Sequence, residues 1–517
     1  MGNVTEQHHA HPNVGAMPRW RVTYEQAEAE KGAGMNGQAL HFSGAAVVRK
    51  AVSEPNPLQE HPGDFTVSVW VKGEPESGYG RSYEVLSAVT GIGEREYGWK
   101  MGVNPSGAWY WKASGEEVYT YEPTFARQPI RDGRWHQLVF TYAAAQPEVR
   151  LYYDGVNVAI YSVPMLAPHI GLEAREAAAA GIKLSPPAWL RADTLWIGGE
   201  PQGDTERETF PGWIDKLWID DRALTADEIG RRYGMHRTPA LPPQLDGDEL
   251  TLSIMTFNIW NGGRETGAEI GVKRIIDVIR DSGADIVAMQ ETYGSGPIIA
   301  DALGYYFYLR SSNLSIMSRF PIEETYPFYQ PFHCGGARLK LNDGLRVNVF
   351  SIWLHYLADY WGELYRESGR SLEQLLEGER GRMKELAEIM RALEPLAARS
   401  EQEPLLLCGD FNSGSHVDWI EATRQMHNGY TFPFPQSIAL ERAGYRDTYR
   451  EVHPDPSADP SVTWPAWEQE GCIGDRIDFI YAHGSKLRPE KASKINAHSV
   501  RYPSDHAAVV VEIHMNR

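Results

Sequence analysis

The second half of the chain repeats one arrangement: an apolar run, then a residue that can hold a water, a metal ion or a phosphate oxygen. Leu252-Ser-Ile-Met-Thr-Phe-Asn258 ends in an amide, and Asp285-Ile-Val-Ala-Met-Gln-Glu291 in a carboxylate. Leu345 to Leu354 runs into His355, and Pro404-Leu-Leu-Leu-Cys-Gly-Asp-Phe-Asn412 ends in Asp410 and Asn412. Arg476-Ile-Asp478 leads into Phe479-Ile-Tyr481, and Asp505-His506 precedes Ala508-Val-Val-Val-Glu-Ile513. One such residue is an ordinary turn signal. Several on one side of a sheet arrangement converge on a single cleft, which is where α/β folds hold ligands. Oxygen donors with no Cys/His cluster favour Mg²⁺ or Mn²⁺ over zinc.

The elements that must position these residues follow from periodicity. Leu405 to Leu407 reads as a strand buried on both faces. In extended backbone Asp410 and Asn412 share a side, and Phe411 turns back toward the core. Val272, Ile275, Ile276 and Ile279 fall at helical spacing, with Gly283 placed to stop the helix. Met383, Leu386, Met390 and Leu393 mark a second amphipathic helix, which Pro395 is expected to end. An insert over about Leu357 to Gly378 is placed to rim the cleft.

The first half has a different period. Phe65, Val67, Val69 and Val71 alternate with Thr66, Ser68 and Trp70, and several short strands follow at even spacing. Asp154-Gly155 is placed as a tight hairpin turn, and Thr225 as the N-cap of a short helix. Trp109 and Trp111 share one strand face and are read as core aromatics rather than a sugar platform. The organisation is a disordered terminus (1–19), a β-sandwich (20–237), a Pro-rich linker (238–249) and an α/β domain (250–517). A net charge of −19 and the lack of a basic stripe weigh against a broad nucleic-acid groove. The three cysteines make neither a disulfide framework nor a zinc spacing. With no spanning apolar run and no signal-peptide layout, a cytoplasmic location is expected, non-classical export being the other route.

Two family resemblances follow. Phe65 to Trp70, Trp135-His-Gln-Leu-Val, Tyr153-Asp-Gly155, Gly212-Trp-Ile-Asp215 and Leu224-Thr-Ala-Asp-Glu-Ile229 resemble the laminin-G-like, concanavalin-type jelly roll. This implies an all-β sandwich that binds a glycan or a cell-surface ligand. Thr256-Phe-Asn258, Gln290-Glu291, Leu354-His355, Gly409-Asp-Phe-Asn412, Arg476-Ile-Asp478 and Ser504-Asp-His506 resemble, in order, the endonuclease/exonuclease/phosphatase superfamily. That resemblance implies a four-layer α-β-β-α sandwich and a metal-dependent phosphoesterase, with a phosphodiester as the default substrate. Hydrolysis of such an ester needs charge neutralisation, an in-line water and a proton for the leaving group.

The roles divide accordingly. Asn258, Glu291 and Asp505 are the candidate Mg²⁺ or Mn²⁺ ligands. Asp478 orients His506, Asn412 orients water or a phosphoryl oxygen, and His355 donates to the phosphate. Asp410 and His506 remain rivals for the general base. The alternatives are a Mg²⁺-dependent endonuclease and a binding module carrying an inactive hydrolase-like domain. Separate cores predict that residues 250–517 alone hydrolyse small diesters.

Overall fold

The computed structural model describes residues 63–75, 80–90, 97–115, 117–163, 194–199, 209–234, 250–342, 344–357 and 371–515, and the backbone of three further short strands, Glu30–Gly32, Ala39–Phe42 and Val48–Ala51. The expected terminus (1–19), the Pro-rich linker (238–249) and most of the insert after Leu357 lie outside these residues.

The first half is a sandwich of two antiparallel sheets. One contains Gly212–Asp220, Phe65–Gly73, His136–Ala143, Glu148–Tyr153 and Val156–Ser162; the other contains Thr194–Ile197, Tyr83–Thr90, Tyr97–Val103, Trp109–Ser114 and Val118–Tyr121. The alternation of Phe65 to Val71 places Phe65, Val67, Val69 and Val71 in the core between them, together with Trp109 and Trp111. Both tryptophans are fully buried, so neither is exposed to stack on a sugar. Asp154 and Gly155 both take the left-handed conformation, as a two-residue hairpin turn requires. Thr225 and Glu228 form a capping pair, each accepting from the other's backbone N–H.

The second half is the expected four-layer α/β sandwich. Its first sheet holds Tyr306–Leu309, Ser315–Ser318, Ile286–Gln290, Leu250–Asn258, Ala508–Met515 and Leu487–Ile495; its second holds Ile322–Tyr326, Cys334–Asn342, Leu345–Trp353, Leu405–Asp410, Asp478–His483 and Arg446–Asp447. Side-chain alternation sorts the layers. Leu252, Ile254 and Val511 of one sheet meet Val347, Val349, Leu406 and Cys408 of the other. Leu405 and Leu407, of opposite parity, face Leu386, Ile389 and Leu393 of the helix Leu372–Ala397. Met255, Phe257 and Met289 face the helix Ile270–Ser282, which Gly283 ends in the left-handed conformation. The helix Leu372–Ala397 runs past Pro395, contrary to the expected stop there. Pro395 forfeits one N–H bond to the preceding turn, but it lies near the end of the helix, and the burial of Leu393 and Leu396 offsets that loss.

The halves do not have separate cores. Val156–Ser162 at the sandwich edge pairs in parallel with Tyr306–Leu309, with Ala159, Ile160 and Tyr161 opposite Phe307, Tyr308 and Leu309. The join makes one sheet of thirteen strands among the described residues. An open strand edge is prone to unwanted pairing, and here each half closes the other's edge. Polar contacts fix the register: Ser162 Oγ lies 3.0 Å from Tyr308 Oη, and Thr124 N donates to Asp301 Oδ2 at 3.0 Å. Thr325 also donates to buried Glu148. No helix among the described residues is long and apolar enough to cross a membrane.

Candidate active site

Strand parity builds the site. The residues facing the gap between the two sheets of the second half are apolar until one end, where Asn258, Gln290, Ser351, Asp410 and Asp478 take their place. The gap therefore ends in polar side chains drawn from both sheets. Antiparallel register sets Asp410 opposite Asp478 in one sheet, and parallel register sets Asn258 beside Gln290 in the other. Asn258 spans the gap, its Nδ2 donating to Asp410 Oδ2 at 3.1 Å and to Glu291 Oε1 at 3.2 Å. Gln290 Nε2 crosses in the same way to Ser351 Oγ at 3.0 Å.

The backbone turns sharply just beyond these strand ends. Of ten non-glycine residues with positive φ among the described residues, five lie here: Trp260, Asn261, Glu291, Tyr293 and Asn412. Such conformations cost about 1–3 kcal/mol each and persist where the surroundings enforce them. Gly409 is dictated by close approach, since a Cβ there would stand 2.1 Å from the carbonyl oxygen of Ile352. Asn412, at φ 46°, has left the extended conformation, yet its Nδ2 returns to Asp410 Oδ2 at 3.2 Å. The same Nδ2 donates to Leu354 O at 2.8 Å, leaving Oδ1 as the atom Asn412 can offer to a water. Phe411 is buried against Phe479 and Tyr481, as the alternation requires.

His506 is the centre of charge. Its Nδ1 lies 2.9 Å from Asp478 Oδ2, and its Nε2 lies 3.9 Å from Asp410 Oδ2. Burial opposes the imidazolium, but Asp478, Asp410 and Asp505 outweigh it and raise His506 to about 10. Burial likewise raises Asp410, to about 7, with His506 pulling down and Asp478 pushing up. His355 occupies the neighbouring strand end. Its backbone N–H donates to Glu385 Oε2 at 2.9 Å, its Nδ1 accepts from Leu357 N at 3.1 Å, and its ring stacks on Tyr356. That leaves Nε2 free of these contacts. The ring packs against Trp353 and Tyr356, so it stands at the rim rather than in the Asp410–His506 gap.

Two groups of ligand atoms compete as a cation site. The atoms of Asp410, Asp478 and His506 lie within 4.8 Å of one another. That space already holds a histidine paired to carboxylate. The second group is the oxygen set of Asn258, Glu291 and Asp505, the donor type that hard divalent cations take. Asp505 Oδ1 is buried with no hydrogen-bond partner, while its Oδ2 accepts from Trp464 Nε1 at 3.3 Å. Burial raises Asp505 above the usual carboxylate range, with His506 and Trp464 pulling down and Glu291 adding to the rise. Ser504 Oγ donates to Asn258 O at 2.7 Å and ties Asp505 to the strand end that carries Asn258.

Three charged residues escaped sequence reasoning. Glu379 and Arg382 are buried on the helix Leu372–Ala397 and paired at 2.6 Å. Arg382 Nη1 donates at 3.3 Å to the carbonyls of His355, Tyr356 and Leu357. Glu379 Oε2 accepts from Ser413 Oγ at 3.1 Å, and Glu385 holds His355 N. One helix thus fixes the turns after two strands. On the opposite flank Arg476 bonds to Asp418 and Asp447, each at 2.7 Å, and sets the approach to Asp478. Arg338, by contrast, is a peripheral ion pair with Glu324 at 3.0 Å.

The profile of the endonuclease/exonuclease/phosphatase family matches residues 255–506. The second half of the chain thus carries a domain that matches this family. The profile of the concanavalin A-like lectin/glucanase superfamily matches residues 49–170, within the sandwich. A Caenorhabditis elegans protein, F14F9.5, is 29% identical over 289 residues, which is 50% of this chain and 90% of that protein. Among solved structures, TDP2 of the same worm is similar at 17% identity over 51% of this chain and 74% of its own, with a TM-score of 0.37. An AP endonuclease of Archaeoglobus fulgidus is similar at 17% identity over 50% of this chain and 98% of its own, with a TM-score of 0.36. The phosphatase-family domain thus supplies a phosphoesterase scaffold, joined by a shared sheet to a lectin-like one.

Proposed function

We propose that the chain is a Mg²⁺- or Mn²⁺-dependent phosphodiesterase whose site comprises Asn258, Glu291, His355, Asp410, Asn412, Asp478, Asp505 and His506. One observation carries the reading: at the end of the inter-sheet gap, His506 Nε2 and Asp410 Oδ2 face each other at 3.9 Å beside an unsatisfied carboxylate oxygen of Asp505. Glu291, Asp505 and Asn258 would hold the cation, which when bound neutralises charge on the phosphate and lowers the barrier to attack by water.

The remaining roles belong to the chain. Asp478 holds His506 through Nδ1 and so aims Nε2–H at a phosphoryl oxygen. Asp410 receives the proton of the attacking water as the water oxygen joins phosphorus. Asn258 and Asn412, both bonded to Asp410 Oδ2, keep that carboxylate turned toward the gap. His355, held from its backbone by Glu385 and Arg382, presents Nε2 from the rim and stabilises the departing alkoxide. Asp410 is preferred to His506 as base because His506 is flanked by carboxylates on both ring nitrogens and serves as donor. The sandwich, with Trp109 and Trp111 buried, would meet a glycan or surface ligand through other residues.

The test is hydrolysis of bis-p-nitrophenyl phosphate by the full chain. Activity should vanish in EDTA, return with Mg²⁺ or Mn²⁺, and be absent from Glu291→Ala. Turnover that survives both EDTA and Glu291→Ala would refute a cation-assisted site at these residues.

A further inference from the structure

The His506–Asp478 pair joins two stretches that lie 28 residues apart in the chain. Asp478 Oδ1 is buried with no hydrogen-bond partner among the described residues. The aim of this carboxylate therefore rests on its contact with His506 and on where the Asp478 backbone stands. That backbone opens the strand Asp478–His483, and Thr463 holds it. Ile477 N and Asp478 N both donate to Thr463 Oγ1, at 3.0 and 3.2 Å. Two donors fill both lone pairs of the hydroxyl oxygen. Thr463 is fully buried, and its β-branched side chain has little rotamer freedom, so the oxygen is a fixed point.

The same residue holds the other partner. Ala507 N, directly after His506, donates to Thr463 O at 2.7 Å. Three residues on from Thr463, Ala466 N donates to Asp505 O at 2.6 Å. Thr463 N and Trp464 N both donate to Asp475 O, at 2.9 and 3.0 Å, and Asp475 N returns to Trp464 O at 2.8 Å. The segment Thr463 to Ala466 is thus bonded to residues 475–478 on one side and to residues 505–507 on the other. Thr463 alone in this segment meets both members of the pair, through its side chain at Asp478 and through its carbonyl at the residue after His506. All of these contacts are to backbone, so Thr463 acts through its neighbours.

We propose that Thr463 is a positioning residue for hydrolysis: it sets the spacing of Asp478 and His506, and so the direction in which His506 Nε2 points into the gap. The inference rests on the phosphodiesterase reading. Thr463→Val keeps the shape of the side chain and removes the acceptor. Two buried N–H groups then lose their partner, and the backbone at Asp478 shifts to find another. Thr463→Ser keeps the oxygen and loses only the stiffness of the branched side chain.

The experiment measures kcat and KM on bis-p-nitrophenyl phosphate for the full chain and for its Thr463→Val and Thr463→Ser variants, with circular dichroism to check folding. A second readout is the far-downfield imidazole N–H proton in the NMR spectrum that His506→Gln removes, the signature of the His506–Asp478 bond. Thr463→Val should lower kcat by about 10–10²-fold, the scale of a misplaced catalytic group, with KM little changed, and should displace or abolish the proton signal. Thr463→Ser should recover most of both. A merely structural role would lower the melting temperature and leave the kcat and the signal of the folded variant as in wild type; that result overturns the proposal, and so does an equal loss in Thr463→Ser. Should Thr463→Val not fold, Thr463→Cys takes its place, close to Thr463→Ser in size but a weak acceptor. Loss of kcat and signal in Thr463→Cys with retention in Thr463→Ser then upholds the proposal, and no difference between the two overturns it. If the wild type hydrolyses no ester, the phosphodiesterase reading falls instead and the proton signal decides the positioning. Its loss in Thr463→Val with retention in Thr463→Ser upholds it; a signal unmoved, or none in the wild type, overturns it.

Discussion

Among the described residues, two histidines are each gripped by two aspartates, one in each half. In the sandwich, His136 Nδ1 lies 2.9 Å from Asp154 and 2.7 Å from the Tyr153 hydroxyl, and its Nε2 lies 3.0 Å from Asp132. Both nitrogens are filled at hydrogen-bond distance, and the cluster ties a hairpin turn to a strand start. His506 has the same first contact, 2.9 Å to Asp478, but its second aspartate stands off at 3.9 Å. That extra ångström separates a knot from a site. A histidine–aspartate pair is a structural device by default; it becomes chemically available when one ring nitrogen faces a second carboxylate across an unfilled gap.

The comparison is broken or sharpened by substitution. The largest effect is expected at the open cluster: His506→Ala should lower kcat on bis-p-nitrophenyl phosphate by roughly 10²–10⁴-fold, the scale of a lost proton-transfer or phosphate-holding group. Circular dichroism checks that the variant is folded, and near-wild-type turnover would remove His506 from the site. Next comes the buried Glu379–Arg382 pair. Arg382→Ala releases the carbonyls of residues 355–357 and should cost about 10²-fold in kcat through misplacement, with the KM for substrate little changed. It should also cost about 3–5 kcal/mol of stability by leaving Glu379 buried and unpaired, read in urea unfolding. Arg382→Lys should recover part of the kcat.

The closed cluster should answer differently. His136→Gln is expected to leave kcat unchanged and to alter only stability. Burial works against the His136 imidazolium, but Asp154 and Asp132 prevail and raise it above its ordinary value. A histidine raised on folding contributes stability that is fully present below about pH 6.5 and is lost as pH rises through the folded value. The melting-temperature difference between wild type and His136→Gln should therefore be greater at pH 5.5 than at pH 9. A constant difference would mean that the cluster's charge does nothing. The smallest effect is expected at Asp475, an acid raised on folding to about 8 mainly by burial. Its unfolded form deprotonates near pH 4 while the folded form keeps its proton, so it withdraws stability as pH climbs from about 4 to 8. Asp475→Asn should flatten the fall in melting temperature between pH 5 and pH 8.

Much of this arrangement was legible in the sequence because it is local. Alternation in Leu405 to Cys408 specifies which side chains face the second sheet, and the same parity delivers Asp410 to the gap. Asn258 and Asp478 follow from the same count. The legible part stops where the backbone leaves extended geometry: Glu291 and Asn412 sit at positive φ, so side-chain alternation does not apply to them. Glu379, Arg382 and Glu385, spaced three apart, look like an exposed ion-paired helix face; only the packing of that helix over two strand ends buries the first two. The joining of Val156–Ser162 to Tyr306–Leu309 was equally hidden, since pairing of distant strands leaves no local mark. It replaces the expectation of separate cores. Residues 250–517 expressed alone would expose Tyr306–Leu309 as an open edge and should melt well below the full chain.

The central claim is a division of labour: a cation on Glu291, Asp505 and Asn258, and a histidine–aspartate gap reserved for water and phosphate. Crystals grown with Mn²⁺ and measured for anomalous scattering test it directly. The account predicts an anomalous peak within bonding distance of Glu291 and Asp505, with the His506–Asp478 contact intact. A peak enclosed by Asp410, Asp478 and His506, with none at Glu291, would contradict it.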